Sequence, residues 1–319
     1  MVMASSAPSP VGPAPPPTTA APKSRSTAAA LLVSLRPEQW TKNLVVFAGA
    51  LFGGHLLDVP ALVSTGATFV IFCALSGAVY LFNDVADRAG DQRHPLKRGR
   101  PIAAGELSPT AAVFFAIGLG LGAVAAAALI RPLLGAVAAT YFVFLLAYSF
   151  VFKHMVIVDA LTISAGFVLR AAAGAVAIGV PISHWLLICT TLLALFLSFS
   201  KRRHELTLLA DGAIGHRPIL HEYSPYLLDQ MIAVVTASTL VAYTLYATDT
   251  ETAQKLGSNR LGLTIPFVLY GIFRYLYLVH QKHTGGSPTA LLVTDRPLMV
   301  CVALWSVAVA LILYTPLGR

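Results

Sequence analysis

Charged side chains are scarce in this chain. Asp, Glu, Lys and Arg make up 11% of its 319 residues, where a soluble domain carries about 25%. That shortage excludes a soluble enzyme, a disordered protein and a nucleic-acid binder. Cysteine is almost missing as well. Cys73, Cys189 and Cys301 all sit inside apolar runs, so they build no disulfide framework. The first 30 residues lack a Leu or Val run and an evident cleavage site, and so do not read as a signal peptide. The histidines, among them His55, His184 and His283, show no metal-ligand spacing and read as structural. No repeated motif marks an inverted-repeat transporter.

Hydrophobic residues, by contrast, reach 56%, and the mean hydropathy is +0.74. Residues 1–32 are an Ala-, Pro-, Ser- and Thr-rich tail that buries too little apolar surface to offset its ordering entropy. Over 33–319 the chain is a series of apolar runs near the ~20 residues needed to cross a bilayer. They fall at 43–57, 60–82, 109–130, 133–152, 155–178, 183–200, 227–247, 261–281 and 296–315. Only helices satisfy the backbone of such isolated runs in lipid. The expected fold is therefore all-α and polytopic, with about nine transmembrane helices. The first run is short and contains glycine, which suits a tilted or partly interfacial segment.

Cations set the orientation. With the N-terminus inside, sixteen of the 22 Lys and Arg fall in inside segments. Four fall outside: Arg131, Lys255, Arg260 and Arg319. Arg170 and Arg274 lie within spans. The expectation is a multi-pass protein of the cell membrane, with the N-terminus and the polar loops on the cytoplasmic side and the C-terminus outside. The net charge of +8 reflects this topology.

The chemistry concentrates in Leu81–Ser108, LFNDVADRAGDQRHPLKRGRPIAAGELS. Asn83, Asp87 and Asp91 recur at i, i+4 and i+8, with Asp84 three before Asp87, and on a helix these oxygens line one face. Such a row suits a hard divalent cation such as Mg²⁺, which takes oxygen ligands and shares them with substrate phosphates. Lys97, Arg98 and Arg100 then supply cations that could hold those phosphates. The alternative is a solvated loop whose acids and bases pair with one another.

Three further groups stand out. SFSKRRHE, at 198–205, holds Lys201, Arg202, Arg203 and Glu205. It reads as phosphate ligands or as a positive-inside anchor, with Glu205 orienting Lys201 or ligating the metal. Tyr148, Lys153, Asp159 and Arg170 surround the fourth-to-fifth connection. An intramembrane ionisable residue is costly and is a functional candidate by default; a structural ion pair is the alternative. Asp159 and Arg170 are roughly 16 Å apart along one helix and need partners on other helices. Arg274 stands in the eighth run, as a substrate ligand or a snorkelling side chain. RPEQWTKN, at 36–43, brings Lys42 and Asn43 to a helix start, where an N-terminus plus Lys makes a phosphate site.

The Asn-Asp-x-x-Asp-x-x-x-Asp run of 83–91, on nine helices with a second polar loop after the sixth, resembles the UbiA superfamily of intramembrane prenyltransferases. The resemblance covers about residues 36–315. It implies a helical bundle around a central cavity open to lipid, with Mg²⁺ and a diphosphate held at the acidic motif. Aromatic-prenylating members carry a second Asp-x-x-x-Asp. Here that place holds Lys201-Arg202-Arg203-His204-Glu205. With RPEQWTKN and KRGRPIAAG, this departure is similar to the decaprenyl-phosphate phosphoribosyltransferase branch. That branch transfers 5-phosphoribose from phosphoribosyl diphosphate to a polyprenyl phosphate, for lipid-linked arabinose and cell-wall precursor synthesis.

The resemblance implies Asn83, Asp84, Asp87 and Asp91 as Mg²⁺ ligands, with Asp84, Asp87, Lys97 and Arg98 catalytic. The residue groups above add Lys42, Asn43, Tyr148, Lys153, Asp159, Arg170, Lys201, Arg202, Glu205 and Arg274 as candidates around the substrates. Partners are then phosphoribosyl diphosphate, a polyprenyl phosphate and the bilayer, with no nucleic acid and with room for a homo-oligomer. The charge inventory points the same way. Such a substrate pair brings three anionic groups, for which cations in place of a carboxylate are required. The alternative enzyme is a polyprenyltransferase acting on an aromatic or quinone precursor.

Overall fold

The computed structural model describes residues 25–95, 97–210, 218–282, 291 and 294–315. Most of the tail, His283, Arg217 and Arg319 lie outside the described residues. The first helix, α1 (Thr27–Ser34), begins inside the segment read as tail, with Ser26 accepting from the Ala29 amide at its start.

Among the described residues, eight helices are long and apolar enough to cross a membrane. They are α3 (Val59–Ala86), α5 (Pro109–Ile130), α6 (Pro132–Phe150), α7 (Val158–Ile178), α8 (His184–Ala210), α9 (Pro225–Thr248), α11 (Ile265–Gln281, entered through a 3-10 turn at Leu261–Thr264) and α12 (Arg296–Tyr314). α2 (Ala48–Phe52), α4 (Arg88–Arg93) and α10 (Thr250–Leu256) are short. Local chemistry explains the starts. Proline in the first turn gives up an amide that would have no partner. Ser108, Ser224 and Asp295 cap α5, α9 and α12 by accepting the amides of Ala111, Leu227 and Leu298.

The first apolar run differs from the other eight. It is a 3-10 stretch, Pro37–Phe47, leading into α2. Packing against α7 shapes it. A Cβ on Gly174 would run into the Val46 carbonyl, and one on Gly49 would stand 2.7 Å from the Ala175 amide nitrogen. Two glycines thus let two backbones touch, the small-residue contact common between membrane helices. That contact brings Lys42 and Asn43 beside α7.

The long helices pack in chain order: α3 on α5, α5 on α6, α6 on α7, α7 on α8, α8 on α9, α9 on α11 and α11 on α12. The Tyr314 hydroxyl, at the end of α12, donates to the Leu51 carbonyl of α2 at 2.7 Å and closes the ring. One apolar core lies among α3, α5, α6 and α7, and a second among α8, α9, α11 and α12. Large apolar side chains such as Leu129, Phe114 and Val63 face outward, as lipid contact requires.

Candidate active site

The acidic run does not continue as one helix. α3 ends at Ala86, Asp87 adopts φ −90° and ψ 2°, and α4 restarts at Arg88. Two of the acids turn inward: Asp84 is 2% and Asp91 4% exposed. Arg100 Nη1 lies 3.1 Å from Asp84 Oδ1 and 2.6 Å from Asp91 Oδ2. Arg36 donates to the same Asp84 oxygen while its guanidinium lies over the Tyr80 ring at 4.6 Å. Asp87, more open, receives Lys153 Nζ at 2.6 Å. The acids do pair with cations, but not as a solvated loop pairing within itself: Asp84 and Asp91 are buried, and two of the three partners come from outside the loop. The partners are Arg36, Arg100 and Lys153, while Arg98 is exposed and Lys97 half-buried. Among the described residues no group of three or more His, Cys, Asp or Glu is arranged to hold a metal ion.

A second cluster forms where the 3-10 stretch meets α7. Arg170 is 6% exposed, and its polar partners are neutral. Its Nε donates to Asn43 Oδ1 at 2.6 Å, and Nη2 donates to the Tyr141 hydroxyl. Its guanidinium lies 4.8 Å from the Tyr141 ring centre and 5.2 Å from that of Phe167. Asn43 in turn donates to Cys73 and Ser76. Lys42, one residue earlier, has no ion pair among the described residues. Burial, reinforced by Lys201, Arg170 and Arg36 nearby, lowers its ammonium from the usual lysine range to about 7, against the weaker pull of Glu38. Positive charge thus gathers around Lys42, with Glu38 and the Glu205 partner of Lys201 as the acids nearby.

The third cluster is the second polar loop. Asp159 and Arg202, 0% and 1% exposed, pair across α7 and α8 at 2.8 Å. Arg202 Nη1 donates to Glu205 at 3.3 Å, and Glu205 lies 3.9 Å from Lys201. Asp159 also accepts the Tyr223 hydroxyl at 3.0 Å. That hydroxyl accepts the Ile157 amide at 2.7 Å. Ile157 has φ 68° and ψ −45°, and the Val158 amide donates to the Val156 carbonyl at 2.7 Å. This is a strained γ-turn on a β-branched residue. Among the described residues Arg36 and Ile157 alone have positive φ without being glycine. Both stand at these clusters.

The clusters face one another. Lys42 lies within electrostatic reach of Arg36 beside the acids, of Arg170, and of Lys201 in the second loop. Tyr148 is within reach of both Tyr80 and Arg202. Arg274 stays apart. It makes a two-point pair with Asp295, at 3.1 and 2.7 Å, tying α11 to the cap of α12. Sequence reasoning overlooked Tyr141 and Tyr223, which nothing in the sequence sets apart from membrane-interface tyrosines. It named Arg36 and Arg100 but assigned neither to the acids.

Beside these clusters lies an apolar cavity of about 630 Å³. Its lining includes Leu44 and Leu197, two residues after Lys42 and four before Lys201, and an aromatic group of Phe52, Trp185, Tyr246 and Trp305. Its apolar lining suits a hydrocarbon chain.

The family model described as the UbiA prenyltransferase family matches residues 43–291. A decaprenyl-phosphate phosphoribosyltransferase of Mycobacterium tuberculosis is 34% identical over 281 residues, covering 87% of this chain and 92% of the relative. One from Corynebacterium glutamicum is 31% identical, covering 91% of this chain and 88% of its own. The nodulation protein NoeC of Azorhizobium caulinodans is 29% identical, over 88% and 92%. The solved structure of a UbiA homologue from Archaeoglobus fulgidus, bound to GPP and Mg²⁺, shares the fold at a TM-score of 0.65 and 18% identity. That likeness covers 88% of this chain and 99% of that one.

Proposed function

The chain belongs to the UbiA prenyltransferase family, and from that premise we propose that it transfers 5-phosphoribose from phosphoribosyl diphosphate to a polyprenyl phosphate, releasing diphosphate. The observation that carries this reading is the cation cluster of Lys42, Arg170 and Lys201, in which Lys42 makes no ion pair among the described residues and Glu38 only weakly offsets the cations around it. A neutral aromatic acceptor brings no further counter-charge to that cluster. A phosphorylated lipid supplies one, and its tail fits the apolar cavity that starts beside Lys42.

The attacking group is then an oxygen of the acceptor phosphate, already an anion, so no strong base is needed. It forms a bond to the anomeric carbon of ribose as the bond to the diphosphate oxygen breaks, with inversion. Lys42 and Arg170 hold the acceptor phosphate, while Lys201, oriented by Glu205 and Arg202, faces the 5-phosphate of the donor. Lys153, Lys97 and Arg98 stabilise the departing diphosphate. Positioning and fixed charge carry most of the barrier reduction. Mg²⁺ fits the acidic run in chemistry. Asn83, Asp84, Asp87 and Asp91 offer only hard oxygens, and Asp84 and Asp91 already converge on one cationic nitrogen. Those four would hold it, and bound there it supplies positive charge to the donor diphosphate. By the charge count, this chemistry lies on the cytoplasmic face of the cell membrane. Lipid-linked arabinose and cell-wall precursor synthesis is the role that follows.

The test compares polyprenyl phosphate with the uncharged polyprenol as ligands of the wild type and of Lys42→Met. A charge-assisted contact of about 1.5–3 kcal/mol predicts a roughly ten- to hundredfold preference for the phosphate in the wild type. Most of that preference should vanish in the variant. An equal loss of both ligands in Lys42→Met would remove the acceptor-phosphate role.

A further inference from the structure

Arg100 stands where a metal-binding motif has its cation. A single nitrogen, Nη1, lies 3.1 Å from one carboxylate and 2.6 Å from another, and the two acids come from different helices, α3 and α4. Asp84 also pairs with Arg36, and Asp87 with Lys153. Three acids thus meet three cations, and the cluster is neutral with nothing added.

Neutrality decides what can enter. Asp84 and Asp91 are almost fully buried, so charge imbalance there costs far more than in water. A divalent cation arriving alone brings two extra charges and meets a guanidinium already at its ligands. A diphosphate arriving alone meets three carboxylates. Arriving together, the two largely cancel. The ion can then take the carboxylates from Arg100, and the freed guanidinium has an anion next to it. A guanidinium suits the exchange, because its planar fork fits carboxylate and phosphate alike. The backbone around Arg100 is turn rather than helix. Its amide donates to the Lys97 carbonyl at 2.9 Å, and Gly99 beside it has open space around it.

We propose that Arg100 is a placeholder cation that couples divalent-metal binding to diphosphate binding, giving Asp84 and Asp91 to the ion as its own guanidinium passes to the diphosphate. The proposal rests on the Mg²⁺ part of the proposed function and is independent of which sugar or acceptor is used.

The experiment uses the full chain in lipid nanodiscs, with Mn²⁺ followed by electron paramagnetic resonance and inorganic diphosphate as the second probe. In the wild type, diphosphate should tighten Mn²⁺ binding about 5- to 150-fold, the usual span of coupling between two ligands. In Arg100→Gln, Mn²⁺ alone should bind more tightly than in the wild type, and diphosphate should add little. Arg100→Lys restores a cation with poorer bridging geometry, so it should show intermediate coupling; it also serves if the glutamine variant fails to fold. Coupling in the wild type that persists unchanged in these variants overturns the proposal and leaves the metal reading standing. A wild type that binds no Mn²⁺ even with diphosphate overturns the metal reading, and the proposal with it.

Discussion

Asp84 and Asp87 look alike in the sequence and stand in different surroundings. Asp84 anchors Arg36 and Arg100 at 2% exposure, while the Asp87 side chain is 38% exposed and holds Lys153. Removing a buried partner leaves an uncompensated charge and costs about 3–5 kcal/mol. Asp84→Ala should therefore lower the thermal midpoint in detergent as well as abolish turnover. Asp87→Ala should abolish turnover with the midpoint little changed. Equal midpoints for the two variants would contradict this division. Lys42 gives a second expectation. With its ammonium at about 7 beside Lys201, Arg170, Arg36 and Glu38, it is charged below that pH and neutral above. Affinity for polyprenyl phosphate should fall as pH rises above about 7, and Lys42→Arg, which stays charged, should flatten that limb. A wild-type affinity unchanged between pH 7 and 9 would rule this out. The acids and cations themselves were legible in the sequence. Their pairing was not, because Arg36 and Arg100 reach Asp84 from 48 and 16 residues away.

The long helices were legible because lipid demands continuous apolar length, and their ends carry proline and Ser or Asp caps. Two elements were not. The 3-10 stretch Pro37–Phe47 is set by contact with α7 rather than by its own sequence. The γ-turn at Ile157 opposes the preference of a β-branched residue, and tertiary bonds from Tyr223 hold it. The close contact of the stretch with α7 is testable. Gly174→Ala should push the Val46 carbonyl away, costing about 1–3 kcal/mol of stability by overpacking. It should also weaken acceptor binding, because Asn43 would leave Arg170. A variant as stable and as tight as the wild type would refute the packing account.

Across the whole molecule, three polar segments far apart in sequence meet beside one apolar cavity, and the ring of helices brings them there. Alternation of charge between the connections predicts the orientation. A reporter fused after Arg100 should lie in the cytoplasm and one after Glu251 outside; the reverse labelling would put the site on the wrong side for a soluble donor. The proposed substrate pair rests, in the sequence, on RPEQWTKN and KRGRPIAAG and on the cations that stand in place of a second acidic motif. The most direct measurement offers purified protein in liposomes phosphoribosyl diphosphate labelled in the ribose, with polyprenyl phosphate and Mg²⁺. Label should pass into the lipid fraction, and removing polyprenyl phosphate should stop it. No labelled lipid, together with active transfer of a prenyl chain from its diphosphate to an aromatic acid by the same preparation, would contradict the account.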